Sequence, residues 1–192
     1  MSQPLIVGIG GTPKENSTTE QALRIALKGA EEMGARTKMF GGSYLSQLPH
    51  YLTGDKDAGK ELLEAVRAAD GLILASPGYH GTISGPVKNA IDYLEETSKD
   101  ERVYLDGVPV GLVVTAYGAQ AAGTTLSTLR FIVHALRGWP TPLGATIKSL
   151  GGMFKDGVCT DENAANQLAM VGKQVADFAA KNYVGAELTQ SA

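Results

Sequence analysis

Short apolar runs alternate with longer helical patterns along the whole chain, and that alternation admits few folds. Leu5-Ile-Val-Gly-Ile9, Gly71-Leu-Ile-Leu-Ala75 and Val108–Val114 are of strand length and carry no charged residue. Such continuous runs suit strands buried on both faces. Thr37–Phe40 and Ala145–Ile147 read as two further, weaker strands. From Ser17 to Met33, Ala22, Leu23, Ala26, Leu27 and Ala30 recur at helical spacing, and Gly34 is placed to stop that helix. Helices are also expected over Lys60–Ala69, Pro86–Glu96, Thr124–Leu136 and Asp161–Lys181, the last with Leu168, Val171, Val175 and Phe178 on one side. Gly41–Asp57 reads as a long polar loop. Strands separated by helices make βαβ units and a parallel sheet, and right-handed crossovers put helices on both faces. The expectation is one doubly wound α/β domain over residues 1–192 with a five-stranded parallel sheet.

Charge and cysteine usage narrow the partners. The net charge of −3 gives no basic field for nucleic acid or an anionic membrane, so a bound anion must be held by local geometry. The single cysteine, Cys159, allows no intrachain disulfide and fits a reducing compartment. It is expected as a small loop residue rather than a nucleophile, because no Cys/His motif surrounds it. Met1–Gly11 lacks a basic leader region, and no apolar stretch approaches a membrane span. The reading is a cytoplasmic protein. His50, His80 and His134 fall in unrelated elements, so no metal site is expected.

In a doubly wound sheet, ligands bind beyond the carboxyl ends of the strands. Three loops lie there: Gly10–Ser17, Ser76–Ser84 and Thr115–Gly123. The first, Gly10-Gly-Thr-Pro-Lys-Glu-Asn-Ser-Thr-Thr19, is rich in hydroxyls and has one cation, Lys14. Free N–H groups and the positive end of the helix dipole favour an anion at such a helix start. Ser17, Thr18 and Thr19 add donors at the same place, so a phosphate would find neutral donors with little need for net charge. Ser17 or Asn16 would also cap the helix, with Glu20 completing a capping box. A dinucleotide fingerprint is broken at Pro13, and no acid follows the second strand. No P-loop string occurs either.

The second loop is the most informative. Gly78, Gly81 and Gly85 are read as allowing close approach of backbone to ligand, and Tyr79 offers a flat apolar face. Pro77-Gly-Tyr-His-Gly-Thr-Ile-Ser-Gly-Pro-Val-Lys-Asn-Ala-Ile-Asp-Tyr-Leu94 resembles the motif of the NAD(P)H-dependent FMN reductase family, which includes monooxygenase flavin reductases and chromate, azo and quinone reductases. The first loop is similar to that family's G-S-x-R-x-x-S pattern, with Thr12 for its serine, Lys14 for its arginine and Ser17 for its second serine. Lys14 cannot make the bidentate fork that arginine makes to phosphate. Tyr117-Gly118, with Gly123, resembles the family's third flavin loop. The resemblance covers about Leu5 to Ile147.

The resemblance implies a flavodoxin-like sheet of strand order 2-1-3-4-5. It implies FMN as cofactor and NADPH or NADH as co-substrate. Its phosphate would lie at Gly11, Thr12, Lys14, Ser17, Thr18 and Thr19. Its ring would lie against Pro77, Gly78, Tyr79, His80, Gly81 and Thr82, and against Thr115, Tyr117 and Gly118. His80 is the one candidate for proton transfer, but hydride transfer to a flavin needs no protein acid, so His80 is expected to shape the loop. The resemblance further implies a homodimer or homotetramer through the helix Pro86–Glu96. Val87, Ala90, Ile91, Tyr93 and Leu94 form an apolar face there that would serve equally as core. Trp139 is read as a packed loop residue or an interface anchor. The expected activity is hydride transfer from a nicotinamide to FMN, with reduced flavin feeding an acceptor or a flavin-dependent monooxygenase. A reductase that keeps its FMN and reduces quinones, azo dyes or chromate is the near alternative. A flavodoxin-type carrier would show [ST]-x-T-G-x-T in the first loop and a strongly acidic surface, and this chain has neither.

Overall fold

The computed structural model describes residues 3–53, 55–149, 151–155 and 157–190, with no side-chain detail at 56 and 182–190. The ends of the expected domain, Met1, Ser2, Ser191 and Ala192, and Gly54 of the expected loop lie outside the described residues.

Interior strands come from the apolar runs. β1 (Leu5–Gly10), β3 (Gly71–Pro77) and β4 (Pro109–Ala116) are almost wholly buried. β2 (Arg36–Phe40) and β5 (Trp139–Lys148) are the half-exposed edges. All pairs are parallel and the order is β2-β1-β3-β4-β5, as expected. One core lies on each face. α1 (Thr18–Glu31) and α6 (Glu162–Gln190) cover one side with Leu23, Leu27, Leu168 and Val171. These two helices nearly touch: a Cβ on Gly172 would stand 1.8 Å from the Ala26 carbonyl oxygen, so no larger residue fits there. α2 (Gly42–Gln47), α3 (Lys60–Ala68), α4 (Gly85–Asp92) and α5 (Ala119–Ala135) cover the other side. Gly34, at φ +87°, ends the first helical segment as the sequence reading required.

Several boundaries differ from the sequence reading. The expected loop Gly41–Asp57 contains α2, whose Leu45 is buried. α5 starts at Ala119, so the third loop is only Tyr117-Gly118, because Ala119-Gln-Ala-Ala forms helix readily. β5 starts at Trp139, well before Ala145. Pro140 and Pro142 fall inside it, which an edge strand tolerates because it can spare N–H donors. Trp139 is neither in a loop nor packed; it opens β5 and is 62 % exposed. Cys159 is in a two-residue strand, β7 (Val158–Cys159), paired with β6 (Phe154–Lys155), rather than in a loop. It is buried in the α1/α6 core, and its Sγ donates to the Asp161 carbonyl. The apolar face of Val87, Ala90, Ile91, Tyr93 and Leu94 is buried in this chain's own core and is therefore not an exposed interface.

Candidate functional site

The carboxyl ends of β1, β3 and β4 open into a cleft of about 270 Å³. One end belongs to the first loop and the start of α1. Thr12, Lys14, Asn16, Ser17, Thr18 and Thr19 line it there. Ser17 caps α1: its Oγ accepts the Glu20 N–H at 3.3 Å. The Glu20 carboxylate pairs instead with Arg24 at 2.6 Å, so the capping box is half made. Lys14 is exposed, and no hydrogen bond or ion pair of its ammonium is formed among the described residues. Asn16 holds a left-handed φ of +51°, and its carbonyl accepts from the Gln21 side chain at 2.7 Å.

Gly11 is buried under this loop and does not line the cleft. Its φ is +128°, and a Cβ on it would stand 2.7 Å from the Gly42 nitrogen. A Cβ on Gly42 would in turn overlap the Thr12 carbonyl. The pair of glycines lets α2 press against the loop and fix its path.

The other end belongs to the second and third loops. Pro77, Gly78, Tyr79, Thr115, Ala116, Tyr117 and Ser149 line it. Tyr79–Thr82 is a tight turn in which the Thr82 N–H donates to the Tyr79 carbonyl at 3.1 Å. Its central residues, His80 at φ +51° and Gly81 at φ +85°, are both left-handed, the pattern of a type I′ turn. His80 and Thr82 point to solvent beyond the cleft lining. Gly118 is the N-cap of α5 and also lies outside the lining.

Not every glycine in this stretch serves a ligand. A Cβ on Gly78 would meet Thr125 Oγ1 and the Ala121 carbonyl at 3.0 to 3.1 Å, so close packing beneath the loop, besides any ligand above it, favours glycine there. Gly85 has open space around it and is not constrained at all. Thr125 is fully buried, and its hydroxyl has no hydrogen-bond partner among the described residues. The motif residue Asn89 turns away from the cleft. Its side chain accepts the Tyr51 N–H and donates to the Pro49 carbonyl, which ties the segment before Tyr51 to α4.

The cleft was built from residues the sequence had singled out, with three additions. Asn16, Ala116 and Ser149 were not named as site residues. Ser149 arrives through the far end of β5, where its N–H donates to the Ala116 carbonyl at 2.8 Å.

The donors fit a phosphate and a flat ring. At one end stand several hydroxyls, a helix N-terminus and one cation. At the other stand two tyrosines of unusual exposure, Tyr79 at 53 % and Tyr117 at 82 %. α5 begins there without a side-chain cap and without an acid in its first turn.

The description NADPH-dependent FMN reductase belongs to the family whose sequence profile matches residues 4–149. The chain belongs to that family. It is an NAD(P)H-dependent FMN oxidoreductase. An iron-sulfur flavoprotein of Archaeoglobus fulgidus is 28% identical over 193 residues, covering 92% of this chain and 98% of that protein. An FMN-dependent NADPH-azoreductase of Staphylococcus aureus is 42% identical over 83 residues, only 43% of this chain and 40% of that protein. Among solved structures, an NAD(P)H:(acceptor) oxidoreductase of Paracoccus denitrificans superposes with a TM-score of 0.74 at 18% identity, over 93% of this chain and 98% of that one. That likeness carries the fold alone. The cluster in the archaeal relative's name does not fit here. Clusters of that kind are held by four thiolates, and this chain has one cysteine. Among the described residues no group of three or more His, Cys, Asp or Glu side chains could hold a metal.

Proposed function

We propose that this chain, as one domain over residues 1–192, carries a hydride from NADPH or NADH to FMN held in the cleft. The observation that carries the reading is the convergence of three strand-end loops on one cleft whose two ends differ in chemistry. FMN, when bound, supplies the redox chemistry, taking the hydride and passing the electrons on. Ser17, Thr18 and Thr19 offer hydroxyl donors to its phosphate beside the α1 N-terminus, and Thr12 and Lys14 close that end. Gly11 sets the path of the loop. Pro77, Gly78 and Tyr79 hold the ring from one side and Tyr117 from the other; Gly118 opens α5 behind Tyr117, and the nearly buried Thr115 meets Thr19 at the floor of the cleft. His80, Gly81 and Thr82 form the turn that fixes Tyr79. His80 is given the part of shaping this turn and not of moving a proton; it is exposed, and its ring forms no hydrogen bond among the described residues.

Small planar acceptors such as quinones and azo compounds suit the open rim between Tyr79 and Tyr117, and the name of the staphylococcal relative supports that class. A flavin-dependent monooxygenase would be the consumer if reduced FMN leaves. The protein is read as cytoplasmic, and among the described residues no helix is long and apolar enough to cross a membrane. A homodimer or homotetramer would use the outer surface of the segment Pro86–Glu96, where Lys88 and Asp92 pair at 2.5 Å, and not its buried apolar face.

Anaerobic stopped-flow mixing of FMN-loaded protein with each nicotinamide tests the reading. Bleaching of the flavin by at least one of them is expected. If neither bleaches it, the reductase reading fails and an electron carrier takes its place.

A further inference from the structure

Thr115 is the residue on which all three loops meet. Its Oγ1 stands 2.6 Å from Thr19 Oγ1 on the first turn of α1. Its carbonyl accepts the Gly78 N–H at 2.8 Å and so holds the second loop. The third loop leaves β4 two residues later. Both residues are only 2 % exposed, yet both line the cleft.

Two hydroxyls carry two protons, and one proton closes the pair. The other has no partner among the described residues. If Thr19 donates to Thr115, the free proton is on Thr115. If Thr115 donates to Thr19, the free proton is on Thr19, at the phosphate end. The pair therefore presents one donor at either of two places, and a ligand selects which.

We infer that Thr115 is a positioning residue that acts on the FMN phosphate through Thr19, and that the pair discriminates FMN from riboflavin. This rests on the cleft being the FMN site. A phosphate dianion draws the Thr19 proton outward, because a charged acceptor makes the stronger hydrogen bond. Thr115 then donates to Thr19, which strengthens Thr19 as a donor. Riboflavin offers no anionic acceptor at that end, so it gains little from the arrangement.

The test is flavin fluorescence titration with FMN and with riboflavin. Thr19→Val removes the donor and should weaken FMN binding about tenfold or more, the effect of losing a hydrogen bond to a charged group. Thr115→Val should weaken it about three- to tenfold, the effect of a neutral hydrogen bond. Thr115→Ser restores the hydroxyl and should return FMN affinity to within about twofold, since the proton and its acceptor are back. The double variant should lose no more than Thr19→Val alone, since one path is removed in both. Riboflavin affinity should move little in every variant. Equal losses for both flavins in Thr115→Val, wild-type FMN affinity in Thr115→Val, or failure of Thr115→Ser to restore would each overturn the inference. Should Thr115→Val not fold, Thr115→Ala against Thr115→Ser makes the same comparison, and equal FMN affinity in those two overturns it. Wild-type protein that binds no FMN would be a different failure, that of the proposed function.

Discussion

Ser17 serves two ends at once, and two substitutions separate them. Its hydroxyl oxygen accepts the Glu20 N–H at 3.3 Å, which caps α1, and the same residue lines the cleft. Ser17→Ala removes both roles. Loss of a cap costs about 1 kcal/mol, which for a chain of this size lowers Tm by about 2–4 °C. Loss of a donor to a charged acceptor costs about 1.5–3 kcal/mol, or roughly tenfold to 150-fold in Kd at about 1.4 kcal/mol per decade. Ser17→Asp keeps the cap, since aspartate caps as well as serine, and its charge suits the positive end of the helix. It also sets a carboxylate against the phosphate. Ser17→Asp should therefore melt no lower than wild type, yet bind FMN more weakly than Ser17→Ala. Calorimetry with FMN and riboflavin, beside thermal melts of the free protein, gives all six quantities for the two variants. Riboflavin should bind both variants about as it binds wild type. Equal loss of both flavins in Ser17→Ala, or undiminished FMN affinity in Ser17→Asp, would refute the assignment of the phosphate to this loop.

Gly81→Val forces a β-branched residue into φ +85° and should weaken FMN binding through displacement of Tyr79, while circular dichroism shows the fold intact; wild-type FMN affinity would count against the role given to the turn. Arg102→Ala should lower stability by about 1.5–3 kcal/mol, the scale of hydrogen bonds from a charged group, because its guanidinium donates to the Val66, Arg67 and Ala69 carbonyls at the end of α3; urea titration reads the loss, and FMN affinity should not follow it. Burial and the Glu96 carboxylate, which accepts its hydroxyl proton at 2.9 Å, push Tyr51 up to about 12. The unfolded chain releases that proton near pH 10 while the folded chain keeps it, so this contribution is complete below about pH 10 and lost by about pH 12. Tyr51→Phe should flatten the fall of stability over that window, as denaturant titrations at each pH would show.

What the sequence disclosed, and what it hid, follows from where constraint acts. β1, β3 and β4 were legible because burial on both faces leaves only apolar residues to write. β5 was read short because its edge position admits Pro140 and Pro142, which in an interior strand would each lose a ladder bond. That one misreading hid Ser149, since the register carrying β5 to Lys148 beside Ala116 also carries Ser149 into the cleft. α2 was missed because a six-residue helix with one well-buried apolar side chain has no period to detect. It is held by the contact of Gly42 with Thr12, which no local pattern encodes. The motif from Pro77 to Leu94 was recognisable as a string, but the string joins two tasks. Pro77, Gly78 and Tyr79 reach the cleft and the turn at Tyr79–Thr82 fixes the rim, whereas Val87, Ala90, Ile91 and Leu94 fill the core and Asn89 pins the segment before Tyr51. A spacing shared by core and site cannot say which residue serves which, because both demands fall on consecutive positions of one βα unit. Only the side-chain directions separate them. The same holds for Thr19 and Thr115, which lie 96 positions apart. Each reads alone as one hydroxyl at a loop, and the proton they share exists only once α1 is laid across the end of β4.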